Sequence, residues 1–251
     1  MNKPTVVLSF DVEREFGFIE AMGHPTRLAI LKRPDNYDTH LRIMIDKLDK
    51  YEVPATLAIV GMLFKVTGTI LDLVEKAKYQ HDIGLHGHMH WKYGTMLPNQ
   101  AAEDISLGVS VLKEFDISPV SFVFPSDSIG YLELLQERGI KVFRGKTPSV
   151  GHPMLNRLVS NICKPKKQMG MVCLPGSLFY HGSKYAKLNL WVAKRGVDNV
   201  IKKGGVYHVW VHPHNLLLGY NHLEYFEKFL HYIALRRNRG ELEIKTMRDF
   251  G

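Results

Sequence analysis

Two histidines four residues apart, His86 and His90, follow the short apolar run Asp82-Ile83-Gly84-Leu85. At that spacing both imidazoles can turn toward one ion, and neutral imidazole suits zinc and its first-row neighbours. Spacing alone says little. With 13 histidines in 251 residues, about one such pair arises by chance, and the chain has a second at His208/His212. The segment Ser9-Phe10-Asp11-Val12-Glu13, closing the first apolar run, adds the missing chemistry. Two imidazoles and one carboxylate leave a coordination position open for water, as a hydrolytic zinc site requires. On these grounds alone either Asp11 or Glu13 could be the acid.

The elements that must position these residues alternate between two periods. Buried strands are expected at Thr5–Phe10, Thr56–Val60, Asp82–Leu85, Val120–Phe124, Ile140–Phe143, Val206–Val211 and Leu242–Ile244. Helical spacing covers Thr39–Lys50, Ile70–Lys78, Pro98–Phe115, Ile129–Arg138, Asn189–Lys203 and Leu223–Arg237. Residues 146–180 read as irregular, with room for a short strand at 171–174. Such alternation predicts a mostly parallel sheet closing into an irregular (β/α) barrel, and the length suits one α/β domain over residues 1–251. Chemistry in such barrels sits where strands end. Asp11, His86, Ser126-Asp127, Arg144 and His212 all fall at such ends.

Composition narrows the class. Apolar residues make up 45% and charged residues 23%, ordinary for a globular chain. No run of about 18 apolar residues exists, so no membrane span is expected. The opening residues lack the basic, apolar and cleavage regions of a secretory leader, which points to a cytoplasmic protein. Cys163 and Cys173 are too few for a disulfide framework and read as free thiols. Lys plus Arg total 33 against 25 acids, a net charge of +8 that favours anionic partners such as acidic, nucleotide-linked or lipid-linked sugars. Neither basic cluster, Lys164-Pro165-Lys166-Lys167 or Arg236-Arg237-Asn238-Arg239, carries a nucleic-acid motif, and none is expected to bind. The second stands where a helix ends, where cations offset the helix dipole.

Taken together, Val7-Leu8-Ser9-Phe10-Asp11, Val53-Pro54-Ala55-Thr56-Leu57 with Gly61 beyond, Ile83-Gly84-Leu85-His86 through His90, and Val206 to Pro213 resemble the polysaccharide deacetylase family. That is the carbohydrate esterase 4-like fold shared with nodulation-type chitooligosaccharide deacetylases, and the resemblance spans most of the chain. It implies that Asp11 is the catalytic base, His86 and His90 are metal ligands, and His212 is the acid that protonates the leaving amine. The usual first motif has adjacent aspartates. Here Val12 takes the second place, and the Asp-x-Glu arrangement of some branches carries the ligand role to Glu13. Strand alternation lets Asp11 and Glu13 face the same way. The family's third-motif arginine has no counterpart in Phe124-Pro125-Ser126-Asp127, and Arg144 is the candidate to stand in for it.

The resemblance therefore implies a metal-dependent hydrolase, zinc most of all, that removes N-acetyl groups from an amino sugar or polysaccharide precursor in cell-surface glycan assembly or modification. Two other readings stay open: an allantoinase-like hydrolase of a small cyclic amide, sharing the His86-Gly87 pair, and a carbohydrate-binding protein that has lost catalysis. His88 should point away from its two neighbours. His208 and Trp210 share the His212 face of their strand, with core packing expected for both. Trp91 and Tyr180 are candidates either to line a sugar site or to pack in the core or at its rim.

Overall fold

The structure is a computed structural model describing residues 3–17, 34–66, 68–78, 80–148, 161–181, 185–217 and 221–251. The core strand β1 (Thr5–Val12) is buried along its whole length. Its run of β-branched and apolar residues suits a strand covered on both faces. Around it stand β2 (Thr56–Ile59), β3 (Asp82–Leu85), β4 (Ser121–Val123), β5 (Val142–Gly145), β6 (Lys166–Gln168), β7 (Met171–Pro175), β8 (Leu178–Phe179), β9 (Val206–Val211) and β10 (Glu243–Lys245). The sheet runs β6-β7-β5-β4-β3-β2-β1-β9-β8, and β10 pairs with the lower half of β1. Every described pairing between these strands is parallel except the β6–β7 hairpin, and one antiparallel bridge joins Cys163 to Val206.

The two ends of the curled sheet meet through one stretch of chain. β7 bonds to β5 as far as Pro175 opposite Gly145. Gly176 N–H still donates to Gly145 O at 3.2 Å, and one residue later Ser177 N–H donates to His208 O at 2.7 Å. Leu178 then lies opposite Val209 in β9. The expected irregular (β/α) barrel is present, closed by this seam.

Helices α1 (Pro34–Lys50), α2 (Leu63–Val66), α3 (Gly68–Ala77), α4 (Pro98–Lys113), α5 (Leu132–Glu137), α6 (Ala186–Lys203) and α7 (His222–Asn238) accompany the strands. Alternation along β1 sorts its side chains. Val6, Leu8, Phe10 and Val12 join the large outer core, whereas Val7 joins a small inner cluster with Ala58, Val123, Val142, Leu174, Val206 and Met247. Ser9, Asp11 and Glu13 continue the inner series. Val12 therefore belongs to the packing and Glu13 to the interior.

The departures from expectation are local. α1 begins at Pro34 rather than Thr39, and α5 at Leu132 rather than Ile129. Tyr131 holds a left-handed backbone, φ 54°, and interrupts the helix there. α2 follows β2 after a tight turn at Gly61 and is too short for its period to register. The stretch read as irregular contains β7, where a short strand has room at 171–174, and also β6 and β8, the last of two residues. Residues 149–160 of it lie outside the described residues. Both cysteines are free thiols, Cys163 buried and Cys173 partly so.

Candidate active site

Asp11 and Glu13 project from the C-terminal end of β1 into the barrel mouth. Between β2 and β4, the turn after β3 brings His86 and His90 to meet them. His86 Nε2 lies 3.7 Å from Glu13 Oε2 and 4.0 Å from Asp11 Oδ2, and His90 Nε2 lies 3.0 Å from Glu13 Oε2. His86 Nδ1 sits 2.8 Å from the Val123 carbonyl. Donating its proton there fixes the tautomer and aims the Nε2 lone pair at the carboxylates, the outer-shell arrangement that orients metal-binding imidazoles. His90 has a left-handed backbone at φ 60°, a conformation that costs a non-glycine residue about 1–3 kcal/mol and collects at functional sites. Gly87 takes φ 69°, and a Cβ there would meet Asp104 Oδ2 and Tyr93 OH, both at 3.3 Å.

Asp104 is a contributor that sequence reasoning did not single out. From the inner face of α4 it accepts the backbone N–H of His88 at 2.8 Å and of Met89 at 3.0 Å, and the Tyr93 hydroxyl at 2.5 Å. It thus holds the backbone between the two histidines. Its signal was available: an aspartate among Ala101, Ile105 and Gly108 interrupts an otherwise apolar helix face. Asp104→Ala should strand these buried donors, costing about 1–3 kcal/mol for each. It should also weaken metal binding about 10–100-fold. Chemical denaturation and metal titration of the variant check both.

On the other side of Asp11, Arg144 reaches in from β5 and forms a two-pronged pair, NH1 to Oδ1 and NH2 to Oδ2, both 2.6 Å. The expected stand-in for the missing third-motif arginine is thus in contact with the proposed base. Ser126 and Asp127, in that motif's place, adopt left-handed backbone at φ 56° and 51°. Ser126 is exposed, and Asp127 Oδ1 lies 3.7 Å from Arg144 NH2. The Arg144 guanidinium stacks on Trp210 at 4.2 Å, and Trp210 is held by a hydrogen bond to Thr147 Oγ1 at 2.8 Å and by Phe179 stacked at 4.1 Å. Burial drives the Asp11 carboxyl upward, but Arg144, then His86 and His212, pull it below the ordinary aspartate range. Glu13 is likewise pushed up by burial and pulled well below its ordinary value by His212, His86 and His90. Both acids are therefore held as carboxylates.

His212 follows β9. Its Nε2 lies 3.5 Å from Glu13 Oε1 and 3.8 Å from Asp11 Oδ2. Its side chain is 16% exposed, against 1% for His86 and 3% for Asp11, so it faces the open mouth of the barrel. His208, four residues earlier on the same face, is buried, with Nε2 2.8 Å from Ser9 Oγ. Burial and the Arg144 charge push its imidazole down to about 3. The unfolded chain binds a proton near pH 6.5 that the native state refuses, so His208 should cost stability as pH falls from about 6.5 toward 3. His208→Gln should flatten the dependence of melting temperature on pH across that interval. An unchanged slope would show that other groups set it.

Tyr180 takes the core alternative rather than lining the mouth. It is fully buried between Phe226 and Phe229 and faces away from the mouth, whereas Trp91 is 43% exposed. A concavity of about 820 Å³ lies at the opposite end of the barrel, lined by Asp82, Ser118 and Arg248 among others. Asp82 there already accepts from Thr56, Ser121 and Arg248, contacts that hold the fold together.

Among the described residues two groups of side chains could hold an ion, Glu13 with His86 and His90, and Glu13 with His212 and His214. They compete for one carboxylate. The first is wholly buried, and His86 is fixed in the ligating tautomer, so the donor set fits a divalent metal there.

No family model matches the chain, and no curated protein sequence matches it. Solved structures do. A protein described as a polysaccharide deacetylase from Mycobacterium smegmatis superposes with a TM-score of 0.70 at 17% identity, covering 93% of this chain and 85% of its own. The fold is that of the polysaccharide deacetylases. The Puue allantoinase shares this deacetylase fold, with a TM-score of 0.71 at 12% identity over 98% of this chain and 88% of its own. So does a carbohydrate esterase 4 family pseudoenzyme from Bacillus anthracis, with a TM-score of 0.61 at 12% identity over 99% of this chain and 66% of its own. One fold thus carries a deacetylase, an allantoinase and a pseudoenzyme, and the site must decide among them.

Proposed function

We propose that the chain is a metal-dependent amide hydrolase that removes acetyl groups from an N-acetylated amino sugar. The observation that carries this reading is the meeting of Glu13, His86 and His90 beside an Asp11 gripped by Arg144. Glu13, His86 and His90 would hold the metal, zinc by ligand type. Bound there, it would act as a Lewis acid toward the amide carbonyl and lower the pKa of water.

The chain's own groups do the rest. Arg144 takes one lone pair from each Asp11 oxygen and leaves another on Oδ2, the oxygen nearer His86 and His212. That oxygen accepts the proton of the attacking water. Arg144 keeps the carboxylate oriented, and ionised until it takes that proton. His212, across the cluster at the open mouth, donates a proton to the departing nitrogen. Asn215 Nδ2 lies 3.5 Å from His212 Nδ1, while Asn215 Oδ1 has no partner among the described residues. With the amide turned over, its carbonyl accepts His212 Nδ1–H and steadies the ring. The Arg144–Asp11 pair weighs against a binding protein without catalysis, because the base is held as chemistry needs it.

The test is metal analysis of the purified protein by mass spectrometry, then acetate release from N-acetylated amino sugars and their oligomers. Activity should vanish on chelation and return with zinc. Ring opening of allantoin without metal, or metal and sugar binding with no acetate released, would overturn the reading.

A further inference from the structure

Helix α6 (Ala186–Lys203) carries five cations, Lys187, Lys194, Arg195, Lys202 and Lys203, against one carboxylate, Asp198. At about 3.6 residues per turn, Lys187, Trp191, Lys194, Arg195, Asp198 and Lys202 fall on one side. Val192, Ala193, Gly196 and Val200 are buried on the other. The lone acid is already spent: Asp198 Oδ1 receives Arg236 NH2 at 2.8 Å and the Tyr232 hydroxyl at 2.5 Å. In the middle of this basic face Trp191 stands 52% exposed, with the Arg195 guanidinium 5.4 Å from its ring.

The N-terminal end of the helix lies near the site. Tyr185, just before the helix, is 38% exposed. Asn189 Nδ2 donates to His181 O at 2.6 Å, and His181 packs 4.2 Å from Phe179, the ring stacked on Trp210. A surface that engaged α6 would lie beside the mouth that holds His212.

We propose that this face of α6 docks the protein onto an anionic phospholipid bilayer. Charge complementarity calls for an anionic partner, and the chain as a whole is +8. The exposed indole selects a bilayer over a polyanion in solution. An indole ringed by lysine and arginine suits the headgroup zone, where its apolar body inserts and its polar edge stays wet. Each cation near such a surface raises affinity about fivefold, and the gain is screened by salt. The docking stands whether or not the hydrolysis does. If both hold, the amino sugar is presented from a lipid carrier at the bilayer surface.

Co-sedimentation of the full chain with phosphatidylcholine vesicles, with and without phosphatidylglycerol, tests this. Binding is expected with phosphatidylglycerol only, falling as salt rises. Lys187→Glu/Arg195→Glu/Lys202→Glu should reduce it by about a hundredfold or more. Lys113→Glu/Lys141→Glu/Lys166→Glu, exposed positions elsewhere with the same change in net charge, should leave most of it intact. Trp191→Ala should weaken binding without altering the salt dependence. Equal loss in both charge-reversed variants, unchanged binding of Trp191→Ala, or binding to heparin with none to vesicles would each overturn the proposal.

Discussion

Arg144→Met should destabilise the protein by about 3–5 kcal/mol at neutral pH, the usual effect of stripping one partner from a buried ion pair. The pair is an extreme case among the described residues: both side chains are 2–3% exposed and joined by two contacts of 2.6 Å. Removing the guanidinium leaves a carboxylate in the barrel interior with only imidazoles near it. Asp11→Asn should be destabilising for the converse reason, because Arg144 loses its closest anion. The double variant Asp11→Asn/Arg144→Met carries neither charge and should regain most of the loss, yet release no acetate. Urea denaturation of chelator-treated protein measures the stabilities free of metal occupancy. A double variant as unstable as the sum of the singles would show that the pair does not act as a unit.

The route to this pair shows where sequence reasoning reached and where it stopped. β1 was legible because a doubly buried parallel strand is a near-continuous apolar run, and its alternation placed Asp11 and Glu13 on one face. His86, His90 and His212 were legible because each follows such a run directly. Arg144 was visible as a strand-end cation, but its partner could not be read. Asp11 and Arg144 are 133 residues apart and meet only because β1 and β5 curl around a common interior. Asp104 was missed because a helical aspartate is usually solvated, and only the turn of Gly87 brings backbone donors to it. β8 escaped because two residues carry no period, and it is held by β9 rather than by its own sequence.

His86→Ala should remove the metal. Loss of an outer-shell partner alone weakens metal sites about 10–100-fold, so loss of the ligand should cost more than about 100-fold. The purified variant should then hold none in stoichiometric amount. The Val123 carbonyl also loses its donor, so a modest stability loss of about 1–3 kcal/mol should accompany it. His212→Ala should keep the metal and lose turnover by about 10²–10⁴-fold, the size of a general acid contribution. The two variants decide between the competing side-chain groups around Glu13. If His212→Ala lost the metal and His86→Ala kept it, the ion would sit with His212 and His214, and the acid would have to be found elsewhere.

The seam at Met171–Phe179 has a consequence for the order in which the molecule forms. Glu13, His86 and His90 come from β1 and the turn after β3, which are separated in the sheet by β2 alone and in sequence by fewer than 90 residues. Pairing β1 with β9 instead joins Thr5 to Val206, a contact across most of the chain, and β9 in turn receives the seam strand. Long-range pairings of this kind are the slow ones, since loop entropy is lost before they form. The proposed metal ligands are therefore complete within the first 90 residues, while Arg144 and the proposed acid arrive later, from the strands that close the barrel. During synthesis the ion would find its ligands before the protein could act on anything.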